Sequence, residues 1–309
     1  MSDKFFEGER NVSASLLSQI QALRKPVADD DRKKEEYEKL LLLFHDLIQS
    51  IKDENGEWDS LQSLIEERAD IAIRYAFDGY GISYDDALEM LKNADDLTDE
   101  QRVDRDILVA AVDNIIDFST AEEYQMAREI PDFDDIFDPE LSDWDGEGNI
   151  DEYLESLFIT YNQRYASVEN MDIEYALIVA AYLAHIASET VLTYMTQGDD
   201  RVRPWHLQYE GFSAPRSHFP SWLIPPIEHQ CRCFLVEDSA NVMGKVQAKW
   251  EGSGMPEMPE WFNRTFKESV ANGGRIFSDE HPYFQVDTQH YDKLSEIASN
   301  IKKKYLSNG

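Results

Sequence analysis

Gly198-Asp199-Asp200-Arg201-Val202-Arg203-Pro204-Trp205-His206 is followed by Gly211, by Pro225-Pro226 and by Cys231-Arg232-Cys233. On residue chemistry alone this is a compact polar cluster set directly after an apolar segment. In an extended stretch side chains alternate, so Arg201 and Arg203 share a face, and Asp199 lies on that face where it can pair with either. His206, Cys231 and Cys233 are metal-compatible donors brought together by a proline-rich loop. With one residue between them, a disulfide joining Cys231 to Cys233 would close a very small, strained ring. These are the only two cysteines in the chain, so a disulfide scaffold is excluded and two thiolates aimed at one metal remain as a reading.

Upstream of the cluster the pattern is helical. Asp151 to about Val168 reads as one helix. Ile173 to about Thr196 reads as a second, apolar on most sides through Ala176, Leu177, Val179, Ala180, Leu183, Ile186, Val191 and Leu192, as a core helix should be. Gly198 suits a left-handed cap at its end. Downstream, Cys233 to Val236 reads as a short strand. The stretch from Gly252 to Pro259 reads as a linker, and Asp292 to Leu306 as a final lysine-rich helix.

Further out, Lys34 to Ile48, Asp59 to Tyr80, Tyr84 to Asn93 and Asp104 to Phe118 carry helix formers with apolar residues at three- and four-residue steps. Gly79-Tyr80-Gly81 stops the second of these, and Ser83 has the character of an N-cap for the third. From about Ile130 to Asp151 the chain is acidic and broken by prolines, as in a loop. The predicted organisation is a helical region over 1–142, a small α+β domain over 143–238 and an extended C-terminal tail over 239–309. The fold class is therefore α+β and predominantly α-helical.

With 62 acidic against 29 basic residues, the net charge is −33. A broad nucleic-acid surface needs Lys and Arg to neutralise phosphate, so any contact with DNA is expected to be weak or indirect. The acidic excess reads as a solvated surface. No run of about 18 apolar residues occurs, which argues against a transmembrane helix. The N-terminus lacks the basic-then-apolar pattern of a signal peptide, pointing to a cytoplasmic start.

The order and spacing of the acid, Arg-Val-Arg-Pro, the His, the Gly and the closing Cys-Arg-Cys resemble the head-morphogenesis domain of tailed phages, a family that includes the phage Mu F-like minor head proteins. The likeness covers the helices from about Asp151 and all of Asp199 to Val236, with Asp199, Arg201, Arg203, His206, Gly211, Cys231 and Cys233 on the motif positions. Trp205 stands where the family usually has a small or polar residue. The resemblance implies a non-enzymatic minor component of the phage head. It would sit near the portal or inner capsid wall, with the portal protein or major capsid protein as partner and no membrane contact during assembly. It would reside in the host cytoplasm until it enters the virion, and some relatives are thought to be ejected with the DNA.

Two metal readings accompany this one. Cys231, Cys233 and His206 supply three zinc ligands, with His229, His218 or Asp199 to complete a tetrahedron. Asp143-Trp144-Asp145-Gly146-Glu147-Gly148-Asn149-Ile150-Asp151 resembles a calcium loop. Its ligands would be Asp143, Asp145, Glu147 and Asn149, but the twelfth position is Leu154, and Glu155 or Asp151 would have to substitute. The bland alternatives are buried thiols beside a histidine, and an acidic turn capping a helix. Other classes of function are a binding module ordered by Zn²⁺ or Ca²⁺, and a toxin-like effector enzyme using His206 and Cys231. No phosphate-binding glycine loop, His-Glu-x-x-His helix or Gly-x-Ser-x-Gly elbow supports an enzyme.

Overall fold

The computed structural model describes residues 30–93, 95, 97–133, 137–138, 140, 142, 148–237 and 254–306. The chain is predominantly α-helical with one small antiparallel sheet, as its patterning predicts. The first half contributes α1 (Asp30–Lys52), α2 (Glu57–Tyr80), α3 (Tyr84–Lys92) and α4 (Asp99–Ala127). Local signals fix their ends. Gly81, at φ +82°, closes α2 with its N–H bonded to Phe77 and Asp78 carbonyls. Ser83 accepts from the Asp86 N–H at the start of α3. Thr98 and Gln101 form a reciprocal capping box on α4, which runs well beyond both limits of the expected 104–118 helix.

The two helices expected over 151–168 and 173–196 are arranged differently. α5 (Ile150–Ile159) passes through a π turn (Thr160–Tyr165) directly into α6 (Ala166–Ala184). The chain then leaves the helix at His185 and forms β1 (Val191–Met195). Val191, Leu192, Thr193 and Tyr194 are β-branched, aliphatic or aromatic. Strand partners on both sides outweigh a helical continuation that apolar character alone suggests. Gly198, at φ +64°, therefore lies in the loop after β1 rather than at the end of a helix.

α2 is the central helix, packed against α1, α4 and α6. Its buried face runs from Leu61, Leu64 and Ile65 to Ala72, Ala76 and Phe77. At Gly79 the backbones of α2 and α6 come so close that a Cβ would lie 2.3 Å from the Glu174 carbonyl oxygen. The same interface buries Arg68 completely. Its Nη1 donates to Asn170 Oδ1 at 2.9 Å and its Nη2 to Glu169 Oε2 at 3.0 Å, and its Nε lies 3.0 Å from Glu122 Oε2. Glu123 is buried beside them and accepts a long 3.5 Å contact from Asn162, which the π turn carries inward. Burial, with the Glu122 charge next, pushes the Glu123 carboxyl up to about 8. Burial and the same neighbour raise Glu169 well above the carboxylate range against the pull of Arg68.

The expected extended tail needs correction. Residues 254–290 contain little regular structure, yet Phe262, Phe266, Val270, Ile276 and Phe277 are buried, and α8 (Tyr291–Tyr305) packs on α4. Asn114 of α4 ties this segment down. Its Oδ1 accepts from the Ile276 and Phe277 N–H groups, each at 2.9 Å, and its Nδ2 donates to the Phe277 carbonyl at 3.0 Å. Among the described residues, one hydrophobic cluster runs from Leu40 to Tyr305 and includes parts of all three expected segments.

The sheet has the order β2-β1-β3, with β2 at Ser213–Pro215 and β3 at Phe234–Glu237. Leu192 stands opposite Ala214, and Tyr194 opposite Leu235. The Tyr175 hydroxyl of α6 donates to the Cys233 carbonyl, joining the helical body to the entrance of β3.

Candidate functional site

The segment between β1 and β3 folds around one carboxylate. Arg203 precedes a single helical turn, α7 (Pro204–Leu207), whose proline at the first position has no N–H to leave unbonded. That turn places Arg203, Trp205 and His206 together. Opposite them, Glu228 comes from the loop leading to Cys231, whose N–H bonds the Glu228 carbonyl at 3.0 Å. One oxygen, Glu228 Oε2, lies 3.2 Å from Arg203 Nε, accepts from Trp205 Nε1 at 3.1 Å and contacts His206 Nε2 at 3.2 Å. Arg203 Nη2 also donates to the His229 carbonyl at 2.9 Å. Glu228 escaped the sequence reading. Its only signal is a position three residues before Cys231, where a loop return faces the Arg-x-x-His turn.

The other ring nitrogen of His206, Nδ1, lies 3.1 Å from Cys233 Sγ. The donor atoms of His206, Cys231 and Cys233 all fall within 4.8 Å of one another, forming a buried group that could hold a metal ion. Burial would raise the Cys231 thiol, and the hydrogen bond from Cys233 is the largest of the interactions that hold it well below the usual thiol range. The hydrogen bond to Cys231, then burial, pushes Cys233 strongly up.

The remaining expected ligands lie elsewhere. His229 does not join the group; its Nδ1 is 2.9 Å from Asp172 Oδ2 on α6, and its ring packs edge-on to Phe266. Asp172 also accepts the Gln230 N–H at 2.7 Å, so this buried carboxylate is committed to the loop backbone. His218 sits at the surface against Ser217. Asp199 takes neither side chain expected of it. It pairs in two-pronged fashion with Arg232, at 2.7 and 2.9 Å, and receives only the backbone N–H of Arg201, whose side chain is exposed. That hydrogen bond from Arg232 lowers the Asp199 carboxyl. Arg232, the residue between the cysteines, is thus the cation the sequence reading should have given to Asp199.

Gly211, at φ +82°, makes the link from β1 to β2, with its N–H on the Tyr194 carbonyl at 2.8 Å. A side chain there would be strained. Among the tryptophans of this region, Trp222 is buried and Trp205 half-buried against His206. Trp261 is exposed at the edge of Trp205, and Trp250 lies outside the described residues.

Of the expected calcium ligands, Asp143, Asp145 and Glu147 lie outside the described residues. Asn149 caps α5 by accepting the Asp151 N–H at 3.1 Å, and Glu155 is exposed on that helix. Among the described residues, His206, Cys231 and Cys233 form the one group with metal-holding geometry. No described helix is long and apolar enough to cross a membrane. Neither a family model, nor a curated protein, nor a solved structure matches the chain.

Proposed function

We propose that this chain is a minor head protein of a tailed phage, acting as a structural component at the portal or inner capsid wall. One observation supports the reading: most of the residues that make the head-morphogenesis resemblance are engaged between β1 and β3, with Arg201 the exception at the surface. Arg203 and His206 meet on Glu228, His206 meets Cys233, Asp199 meets Arg232, and Gly211 turns the strand that they brace. The Cys233 carbonyl, accepting from the Tyr175 hydroxyl, joins this clamp to α6 of the helical body.

A toxin-like enzyme using His206 and Cys231 has less support. Those side chains are only 2% and 1% exposed, whereas a nucleophilic thiolate needs access to its substrate. A cavity of about 280 Å³ lined by Gln125, Arg128, Tyr161 and Tyr283 includes none of the clamp residues.

Zinc is the metal that fits the clamp best. Two thiolates and an imidazole are its preferred donors, and these three sit within mutual reach. Zinc would bind both cysteines as thiolates and cross-link the Arg-x-x-His turn to β3. Removing it with a chelator should lower the melting temperature of the full chain.

The assembly role is tested by co-expressing the chain with the portal protein of its own genome. A stoichiometric complex that survives size exclusion is expected for the wild type and lost for Arg203→Ala. Failure of the wild type to bind portal or major capsid protein would overturn the proposal.

A further inference from the structure

We infer that Glu228 is a positioning residue: it fixes His206 as the Nε2–H tautomer and thereby aims the Nδ1 lone pair at Cys231 and Cys233. A carboxylate can only accept, so the 3.2 Å contact between Glu228 Oε2 and His206 Nε2 places the ring proton on Nε2. Nδ1, 3.1 Å from Cys233 Sγ, is then the nitrogen free to accept a thiol proton or to bind a metal. A carboxylate behind the histidine is what metal-binding imidazoles use to set tautomer, ring orientation and basicity.

Two further contacts hold the carboxylate itself in place. Arg203 Nε and the Trp205 indole N–H converge on the same oxygen, and Arg203 is also anchored to the His229 carbonyl. The three-residue step from Arg203 to His206 is one turn of α7, which is why both reach one oxygen. The Trp205 ring lies edge-on to the imidazole with centroids 3.9 Å apart and restricts its rotation. The step from Glu228 to Cys231 closes the circuit, because the Cys231 N–H on the Glu228 carbonyl couples the carboxylate's position to the thiol's. The sequence signature of the site is therefore Arg-x-x-His facing Glu-x-x-Cys-x-Cys.

The tautomer stands on geometry alone; its consequence for affinity rests on the zinc reading above. The experiment separates them. Histidine-labelled full-length protein, stripped of metal, is examined by nitrogen NMR, with the His206 signals assigned by their loss in His206→Gln. The wild type should show a protonated Nε2 and an unprotonated Nδ1. Glu228→Met, which fills the space without accepting a bond, should give a second tautomer or a mobile ring. Glu228→Gln, whose carbonyl still accepts, should restore the wild-type pattern. In zinc titrations of the same proteins, Glu228→Met should bind roughly 10- to 100-fold more weakly, and Glu228→Gln should lie between it and the wild type. A wild-type ring protonated at Nδ1 overturns the inference, as does a Glu228→Met spectrum unchanged from wild type in a folded protein. Absence of zinc binding by the wild type overturns the zinc reading, and the tautomer is then decided by the spectra alone.

Discussion

Replacing Arg68 with Met removes the guanidinium that lies against Glu122 and Glu169 in the α2–α4–α6 interface while keeping most of its volume. Breaking a buried ion pair by deleting one partner costs about 3–5 kcal/mol, because the carboxylates left behind are uncompensated. The loss should depend on pH in a definite direction. In the folded wild type Glu123 is pushed up to about 8, by burial first and then by Glu122, and Glu169 is also raised. Carboxyls with raised folded-state pKa values favour folding fully below their unfolded value, about 4.5, and that contribution is lost as pH rises through the folded value. Wild-type stability should therefore fall between about pH 5 and about pH 8. Arg68 opposes the upward shift of both groups, so its removal drives them higher and extends the fall to higher pH. At about pH 5 Glu123 and Glu169 are already mostly protonated in the folded protein, and the cost should shrink to about 1–2 kcal/mol for the lost hydrogen bonds to Asn170 and Glu169. Urea unfolding followed by circular dichroism at the two pH values measures both quantities. A loss below about 1 kcal/mol at the higher pH, or an equal loss at both, would refute the reasoning.

Two further substitutions probe how the body is tied together. Gly79→Ala places a methyl 2.3 Å from the Glu174 carbonyl, so α2 and α6 must separate; thermal denaturation should register a loss of about 1–3 kcal/mol, and a neutral result would contradict the close approach. Asn114→Ala leaves two N–H groups and one carbonyl of the C-terminal segment without their partner. A cost of about 3 kcal/mol or more is expected. Hydrogen exchange at Ile276 and Phe277 should accelerate, whereas exchange confined to α4 would show that other contacts hold the segment.

The helical half was readable because its apolar spacing and its capping residues agree. Gly81 stops α2 through its left-handed backbone, and Ser83 starts α3 through its side-chain oxygen. The exit from α6 was not readable, since Val191 to Tyr194 is as apolar as a core helix and becomes a strand only through pairing with residues up to Glu237. The tail looked loose because aromatic residues such as Phe266 and Phe277 have no helical or alternating period; the backbone at Ile276 and Phe277 is held by Asn114, far away in sequence. In the site, residue type identified His206, Cys231 and Cys233 as companions, and the fold brings them together. The partners of Asp199 and His229 required three-dimensional information. Arg232 and Asp172 reach them across 33 and 57 residues, distances over which periodicity carries no signal.

Quantitative mass spectrometry of purified phage particles tests the assembly claim most directly. If the chain is a minor head protein, its peptides should be present in DNA-filled particles at a small fraction of the major capsid protein's abundance, at a fixed ratio to portal. Particles that are complete and infectious without it would contradict the account.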